Sequence, residues 1–349
     1  MSERGAFERS ALAQLSLTRM QAFLREPEAI FWVFAFPILL ALALGIAFRS
    51  TGPPRSAVVI STGRGDGALL RALQETPELT ARVAGPADAD ATLRRGKALV
   101  LVRPGDPPTL VYDPSRPETR LAQLLVRDAL QRAAGREDRI DLRADTRMRP
   151  GSRYIDFLIP GLIGLNLLGT GMWGVGFPIA NARQLKLLKR MVATPMRRSD
   201  YLLSLMVARL VFLTLEVAAI LIFGWAAFGV VMRGSWAGFV VVSLLGGLAF
   251  SALGLLVASR ARTIEAVSGL MNVAMMPMWL LSGSFFTSER FPGFLQPIIR
   301  ALPLTAANDA FRALMNEGAS LAAVLPQIGV LVAWCIVCFA LAMTWFRWE

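Results

Sequence analysis

Residues 155–180, IDFLIPGLIGLNLLGTGMWGVGFPIA, carry no charge after Asp156, and residues 183–201, RQLKLLKRMVATPMRRSDY, follow almost at once. The first stretch is long enough to cross a hydrocarbon core of ~30 Å as a helix rising 1.5 Å per residue. The second packs Arg183, Lys186, Lys189, Arg190, Arg197 and Arg198 against a single acid, Asp200, before the next apolar segment begins. An apolar span followed by a basic connection is the pattern of a polytopic membrane protein with that connection on the cytoplasmic side.

The rest of the chain agrees. Of its 349 residues 54% are hydrophobic and 18% charged, against roughly 25% charged in a soluble domain. The net charge of +12 then belongs to cytoplasmic loops and anionic lipid headgroups rather than to nucleic acid. Histidine is absent, which removes the commonest general base and metal ligand. Cys335 and Cys338 lie in VAWCIVCFAL, the setting of packing residues in an apolar helix and not of a redox loop.

Six spans are expected: 29–48, 155–180, 202–231, 235–259, 265–284 and 321–346. The first is long enough to remain as an anchor. Residues 1–28 place Leu12, Leu17, Met20, Phe23 and Leu24 on one helical face. That helix lies in the membrane interface or packs on the protein's own loops. Residues 50–152 change character: SAVVIS, KALVLV and TLVYD read as short strands, LLRALQET and RPETRLAQLLVRDALQRA as helices. The expectation is an α-helical polytopic membrane protein with short re-entrant helices at 285–318 before the last span. A small α/β domain, 50–152, is inserted between spans 29–49 and 153–349. Arg260, Arg262 and Arg347 against the lone Arg233 place both termini in the cytoplasm and 50–152 outside.

A phosphate-binding loop needs G-x-x-x-x-G-K-[ST]. Gly96–Lys97 fails it, with Ala91 and Ala98 at the flanking positions, so no ATPase motif and no bound cofactor are expected in this chain. Glu216 stands inside the third span, where an ionised carboxylate costs about 2.5–3.5 kcal/mol and calls for a partner or a watery cavity. Arg209, two turns earlier, is about 10 Å away along the axis and is read as too far for direct contact. Two roles stay open for Glu216: a hydrogen-bonding strut between helices, or a proton-coupling acid. Residues 277–314, PMWLLSGSFFTSERFPGFLQPIIRALPLTAANDAFRAL, are too broken to span and too apolar for a free loop. They dip into the outer leaflet or fold as an outer loop.

With KLLKRMVATPMRRSDYL after the second span and PMWLLSGSFFTSERFPGFLQPIIRALPLTAANDAFRAL after the fifth, the chain resembles the permease subunits of type 2 ABC exporters. The segments DATLRRGKALVLVRPGD and LVYDPSRPETRLAQ are similar to the extracytoplasmic domain of the multidrug-type subgroup. Family members commonly carry Glu and Gly before the Thr-Pro step, whereas this chain has Gln184, Lys186 and Lys189. The resemblance implies a transport subunit, in a bacterial cytoplasmic membrane, that moves a hydrophobic or amphiphilic substrate. Its partners would be an ATP-binding cassette subunit that holds ATP and Mg, and a second permease, identical or not. A periplasmic or extracellular accessory protein is a further candidate partner.

The same resemblance makes 183–199 a coupling helix seated on the ATPase, through Leu185, Leu187, Leu188, Arg190, Met191, Thr194 and Pro195. It also lays a substrate pathway along the second and fifth spans, past Asn166, Met172, Glu216, Asn272, Met275, Met276, Phe285 and Phe286. Two other classes remain: an ion-coupled secondary transporter built on Glu216, and a non-transporting assembly or sensor subunit built on the 50–152 domain.

Overall fold

The computed structural model describes residues 11–48, 55–63, 65–136, 151, 153–187, 198–261 and 263–345. The chain divides into a membrane unit, Met1–Arg49 with Met148–Glu349, and a small unit, Ser50–Arg147.

In the small unit, β1 (Ser56–Ser61), α3 (Asp66–Gln74), β2 (Leu79–Ala84), α4 (Pro86–Arg94), β3 (Val100–Arg103), β4 (Thr109–Tyr112) and α5 (Pro117–Ala133) follow one another. The sheet order is β2-β1-β3-β4, with β1 parallel to β2 and β3, and β4 antiparallel to β3. The runs VVI and VLV are continuous because both faces of these central strands are covered. Val58, Ile60, Val100 and Val102 pack with Leu73 of α3 and Ala122 and Val126 of α5. The alternate residues Val59 and Leu101 face Ala89 of α4, as the two-residue period of a strand requires. Two elements are additional to the sequence reading. The strand β2, LTARVA, is an edge whose polar alternation hides it from a search for apolar runs, and α4 is a short, polar helix.

The membrane unit begins with α1 (Ala11–Leu24), whose Phe23 stacks 4.2 Å from Phe212 and 6.5 Å from Phe34. The first span, α2 (Pro27–Ala47), contains a π-helical turn at Phe31–Ala35. Next come α6 (Tyr154–Gln184), α7 (Arg198–Phe228), α8 (Trp236–Ala258) and α9 (Ile264–Leu281). The connection that follows holds three 3-10 turns, α10 (Gln296–Ala301) and α11 (Pro303–Met315) before α12 (Leu325–Trp345). Six helices are long and apolar enough to cross a membrane among the described residues. The fold is that of a polytopic helical membrane protein with an inserted α/β unit.

The core is organised around α6, which is buried along most of its length while α2 and α12 are mostly exposed. Its small residues make this possible. A Cβ placed on Gly164 would overlap the Asn308 side chain of α11, and one on Gly161 would lie 2.5 Å from the Ser284 carbonyl oxygen. The connection between the fifth and sixth spans therefore sits directly on the backbone of the second.

Candidate functional site

One face of α6 presents Asn166, Thr170 and Gly174 at i, i+4 and i+8, and one face of α7 presents Arg209 and Glu216 at i and i+7. The two faces meet. Arg209 Nη1 donates to Glu216 Oε1 at 2.8 Å, with the two side chains 5% and 1% exposed. Thr170 Oγ1 lies 2.9 Å from Glu216 Oε2 and 2.6 Å from the Asn166 carbonyl oxygen, and accepts from Arg209 Nη2. A hydroxyl has one proton, so Thr170 donates either to the carboxylate or to its own helix. Asn166 Nδ2 makes longer approaches, 3.5 Å to Glu216 Oε2 and 3.4 Å to the carbonyl oxygen of Val33 in the π-helical turn. The polar cluster thus ties three helices, α2, α6 and α7, in the interior of the bundle.

This corrects the expectation that Arg209 stands too far from Glu216. Their backbones are two turns apart, but both side chains are long, and leaning toward each other they close the gap. Arg209 crosses over Gly174, whose missing side chain leaves it room. Buried charges are tolerated where they are paired and hydrogen-bonded, and here the partner was in the sequence all along.

The two ends of α6 are held by arginines acting on the ends of other helices. At its start, Arg153 grips Asp156 through Nε (2.9 Å) and Nη2 (2.7 Å), and its Nη1 donates to the Phe228 carbonyl oxygen at the end of α7 (3.0 Å). Asn316, just past α11, donates to the Asp156 carbonyl oxygen at 2.7 Å. At its finish, Arg183 is buried and donates to the carbonyl oxygens of Ala258 (2.9 Å), Ser259 (3.2 Å) and Ala261. The last carbonyls of a helix lack partners in the helix and carry its negative pole, so a guanidinium there satisfies both. Arg183 is therefore not one of the basic residues offered outward by the 183–201 run, contrary to the sequence reading.

α6 continues to Gln184, so the first two positions of the expected coupling helix are the last turn of the second span. The chain then breaks at Lys186, φ +55°. Leu185 and Leu187 are exposed. Leu188, Arg190, Met191, Thr194 and Pro195 lie outside the described residues.

The segment after α9 is tied back by α11. Asn308, fully buried, donates to the Ser282 carbonyl oxygen (3.1 Å) and to Ser284 Oγ (2.9 Å). Arg312, one turn later, donates to the Gly283 carbonyl oxygen and stacks 3.7 Å over the Phe157 ring of α6. Gly283 adopts φ +71°, a conformation that glycine reaches without the steric cost of a side chain. The Ser-Gly step and the Asn–Arg pair four residues apart are thus two halves of one latch.

The residues expected along a pathway do not form one site in the single chain. Asn166 and Glu216 are together in the polar cluster. Met172 and Met275 are buried in the core, and Phe285 packs against its edge. Asn272, Met276 (63% exposed) and Phe286 (63% exposed) stand on the open surface. Thr170, Arg183, Asn308 and Arg312 were missed as sites. The i,i+4 spacing of Asn166 with Thr170 and of Asn308 with Arg312 was the available signal.

Comparison with known proteins agrees with this architecture. The chain is 26% identical over 172 residues to the probable multidrug ABC transporter permease YbhR of Escherichia coli K12, covering 49% of this chain and 47% of that one. It is 34% identical over 106 residues to nodulation protein J of Rhizobium meliloti, covering 30% and 40%. It is 25% identical over 141 residues to the linearmycin resistance permease protein LnrN of Bacillus subtilis, covering 38% and 37%. The chain thus spans less than half the length of these curated relatives. The family match is far broader, running from residue 27 to residue 344. By that match the chain belongs to the ABC-2 family of transporter proteins.

Proposed function

We propose that this chain is the membrane-spanning permease subunit of an ATP-driven exporter. It would be energised by a separate ATP-binding subunit that docks on the 183–199 segment, in a bacterial cytoplasmic membrane with both termini inside. The observation that carries the reading is the continuity of α6. One helix of 31 residues, about 46 Å long at 1.5 Å per residue, bears the Arg183 clamp at one end. It bears the polar cluster in its middle and the seat of the 282–316 latch toward the other end. A push delivered beside Leu185 would reach that latch along one continuous helix, through Pro178 and Pro160 in its interior.

The exposed Asn272, Met276 and Phe286 fit a second permease. A polar amide on a helix facing lipid is costly, and a facing subunit would cover it and line the path between the two halves. Met and Phe at such a surface suit hydrophobic or amphiphilic cargo, because Met adapts its shape and aromatic rings supply apolar area. The relatives' names, a multidrug permease and a linearmycin resistance permease, point the same way. ATP and Mg would be held by the partner, and this chain's own groups would position helices. Glu216 serves in this reading as a strut, since its carboxylate is committed to Arg209 and Thr170.

The test is Leu188→Asp in the chain co-expressed with its ATP-binding subunit. The ATPase should no longer co-purify, while the permease keeps its thermal midpoint. Retained co-purification with normal ATP-dependent export would sink the docking assignment. Export that persists in a strain lacking every candidate ATPase would sink the whole reading.

A further inference from the structure

The small unit contains a cleft of about 330 Å3, at the lower end of the range for small-molecule sites. The transport reading does not use it. It opens where α4 ends, the chain turns at Gly96 into β3, and β4 leads into α5. Leu93, Leu99 and Tyr112 supply its apolar wall, while Arg94, Arg116 and Thr119 supply its polar one.

Three observations make the polar wall a receptor for an anion. The cleft includes the first turn of α5, a helix of 17 residues whose N-cap, Arg116, makes no side-chain capping bond. The positive pole of the helix lies there, and with Pro117 lacking an N–H and Thr119 N donating to the Arg116 carbonyl oxygen at 3.2 Å, the Glu118 N–H is the free donor of that turn. The Arg116 guanidinium lies over Gly96, where a Cβ would approach Nη1 to 2.7 Å. Its Nε faces Asp113 at only 3.8 Å, which leaves the Nη edge turned to other work. Finally, Thr119 is 1% exposed and its hydroxyl makes no hydrogen bond. Thr92, the other buried threonine among the unit's described residues, instead accepts from Arg82 Nη2 at 2.7 Å. A buried hydroxyl without a partner costs about 1–3 kcal/mol, so its presence in a cleft wall marks a place where something else supplies the bond.

Asp113 is the one acid in the lining. Ser115 donates to its Oδ1 through both Oγ (2.6 Å) and N (2.9 Å). Those bonds, ahead of the nearby Arg116, hold its carboxyl below the usual range. It is therefore occupied with its own turn, and two guanidiniums outweigh it.

We propose that this cleft binds the oxyanion, phosphate or carboxylate, of a small amphiphile. Arg94 and Arg116 would supply charge-assisted donors and Thr119 its hydroxyl. Leu93, Leu99 and Tyr112 would cover the apolar part.

The test is calorimetric titration of the full chain in phosphatidylcholine nanodiscs, with empty nanodiscs subtracted. The probes are dihexanoyl phosphatidate, a lipid headgroup on short tails, and inorganic phosphate. Arg116→Gln and Thr119→Val should each weaken binding about tenfold or more, a difference of ~1.4 kcal/mol. Arg71→Gln, on α3 outside the cleft, should not. Thr119→Val should leave the thermal midpoint unchanged or raised, because it removes an unpaired hydroxyl, so its loss of binding is not a loss of fold. Phosphatidate binding about tenfold tighter than phosphate supports a lipid source. Equal affinity for both probes, still lost in the variants, supports the oxyanion site with free phosphate as its source. Absence of binding by either probe, or binding indifferent to Thr119→Val, overturns the proposal.

Discussion

Arg209 and Glu216 stand seven residues apart on one face of α7 and meet at 2.8 Å inside the bundle, with Thr170 of α6 bridging both. The pair has no water to return to, so its two members depend on each other more than on any neighbour. Removing one leaves a buried charge uncompensated, at a cost of about 3–5 kcal/mol, whereas replacing both by apolar groups is often neutral. Arg209→Met and Glu216→Leu alone should each lower the thermal midpoint sharply. The double variant Arg209→Met/Glu216→Leu should recover most of the loss. Additive losses in a double-mutant cycle would show that the two side chains act separately.

Arg183 donates to three carbonyl oxygens at the end of α8. Arg183→Leu should expose that end, at a cost on the order of 1–3 kcal/mol for the lost charged hydrogen bonds. Hydrogen exchange should quicken at 256–261. Arg190→Gln, in the same basic run, should leave those amides protected. Equal protection in both variants would contradict the clamp.

Gly164 and Gly169 are five residues apart on α6, yet only the first touches the latch. A Cβ on Gly164 overlaps Asn308, while the nearest atom to one on Gly169 is the Met275 methyl at 4.0 Å. Gly164→Ala should destabilise by about 1–3 kcal/mol, the usual range for overpacking, and make 282–316 easier to cleave by protease. Gly169→Ala should leave both measurements near the parent. Identical behaviour of the two variants would remove the latch from its seat.

If two permeases face each other across α9, Met276 lies at the meeting surface, and Val240, exposed on α8, serves as a comparison. In a background where Cys335 and Cys338 are serine, Met276→Cys should cross-link to a dimer with a short bismaleimide, and Val240→Cys should not. The reverse pattern would place the second subunit elsewhere.

Much of this molecule was legible in the order of its residues. The uncharged runs, the basic connections between them and the change of character after residue 49 sufficed for six spans and an inserted α/β unit. Those features follow from the cost of placing charge and unpaired backbone in hydrocarbon, which acts on each segment independently of its neighbours. The strands SAVVIS and KALVLV were visible for a related reason, since both their faces are covered. β2, polar along an edge, and the short α4 were not.

The functional groups were harder to place because their meaning depends on what stands opposite. Glu216 was marked out by its sequence alone, as a carboxylate in an apolar run. Its partnership with Arg209 is hidden by their axial distance, and Thr170 is marked only by its i,i+4 spacing from Asn166. Arg183 read as a surface charge until the end of α8 was found beside it. Asn308 and Arg312 became a latch only once the Ser282–Ser284 turn lay within their reach. The sequence by itself determined which segments enter the membrane and where the chain leaves it, because hydrophobic transfer is a local and nearly additive quantity. The tertiary structure alone decided which polar groups are paired, because a hydrogen bond is set by distances between atoms that lie up to 160 positions apart in the chain, as in the bond from Asn316 to Asp156.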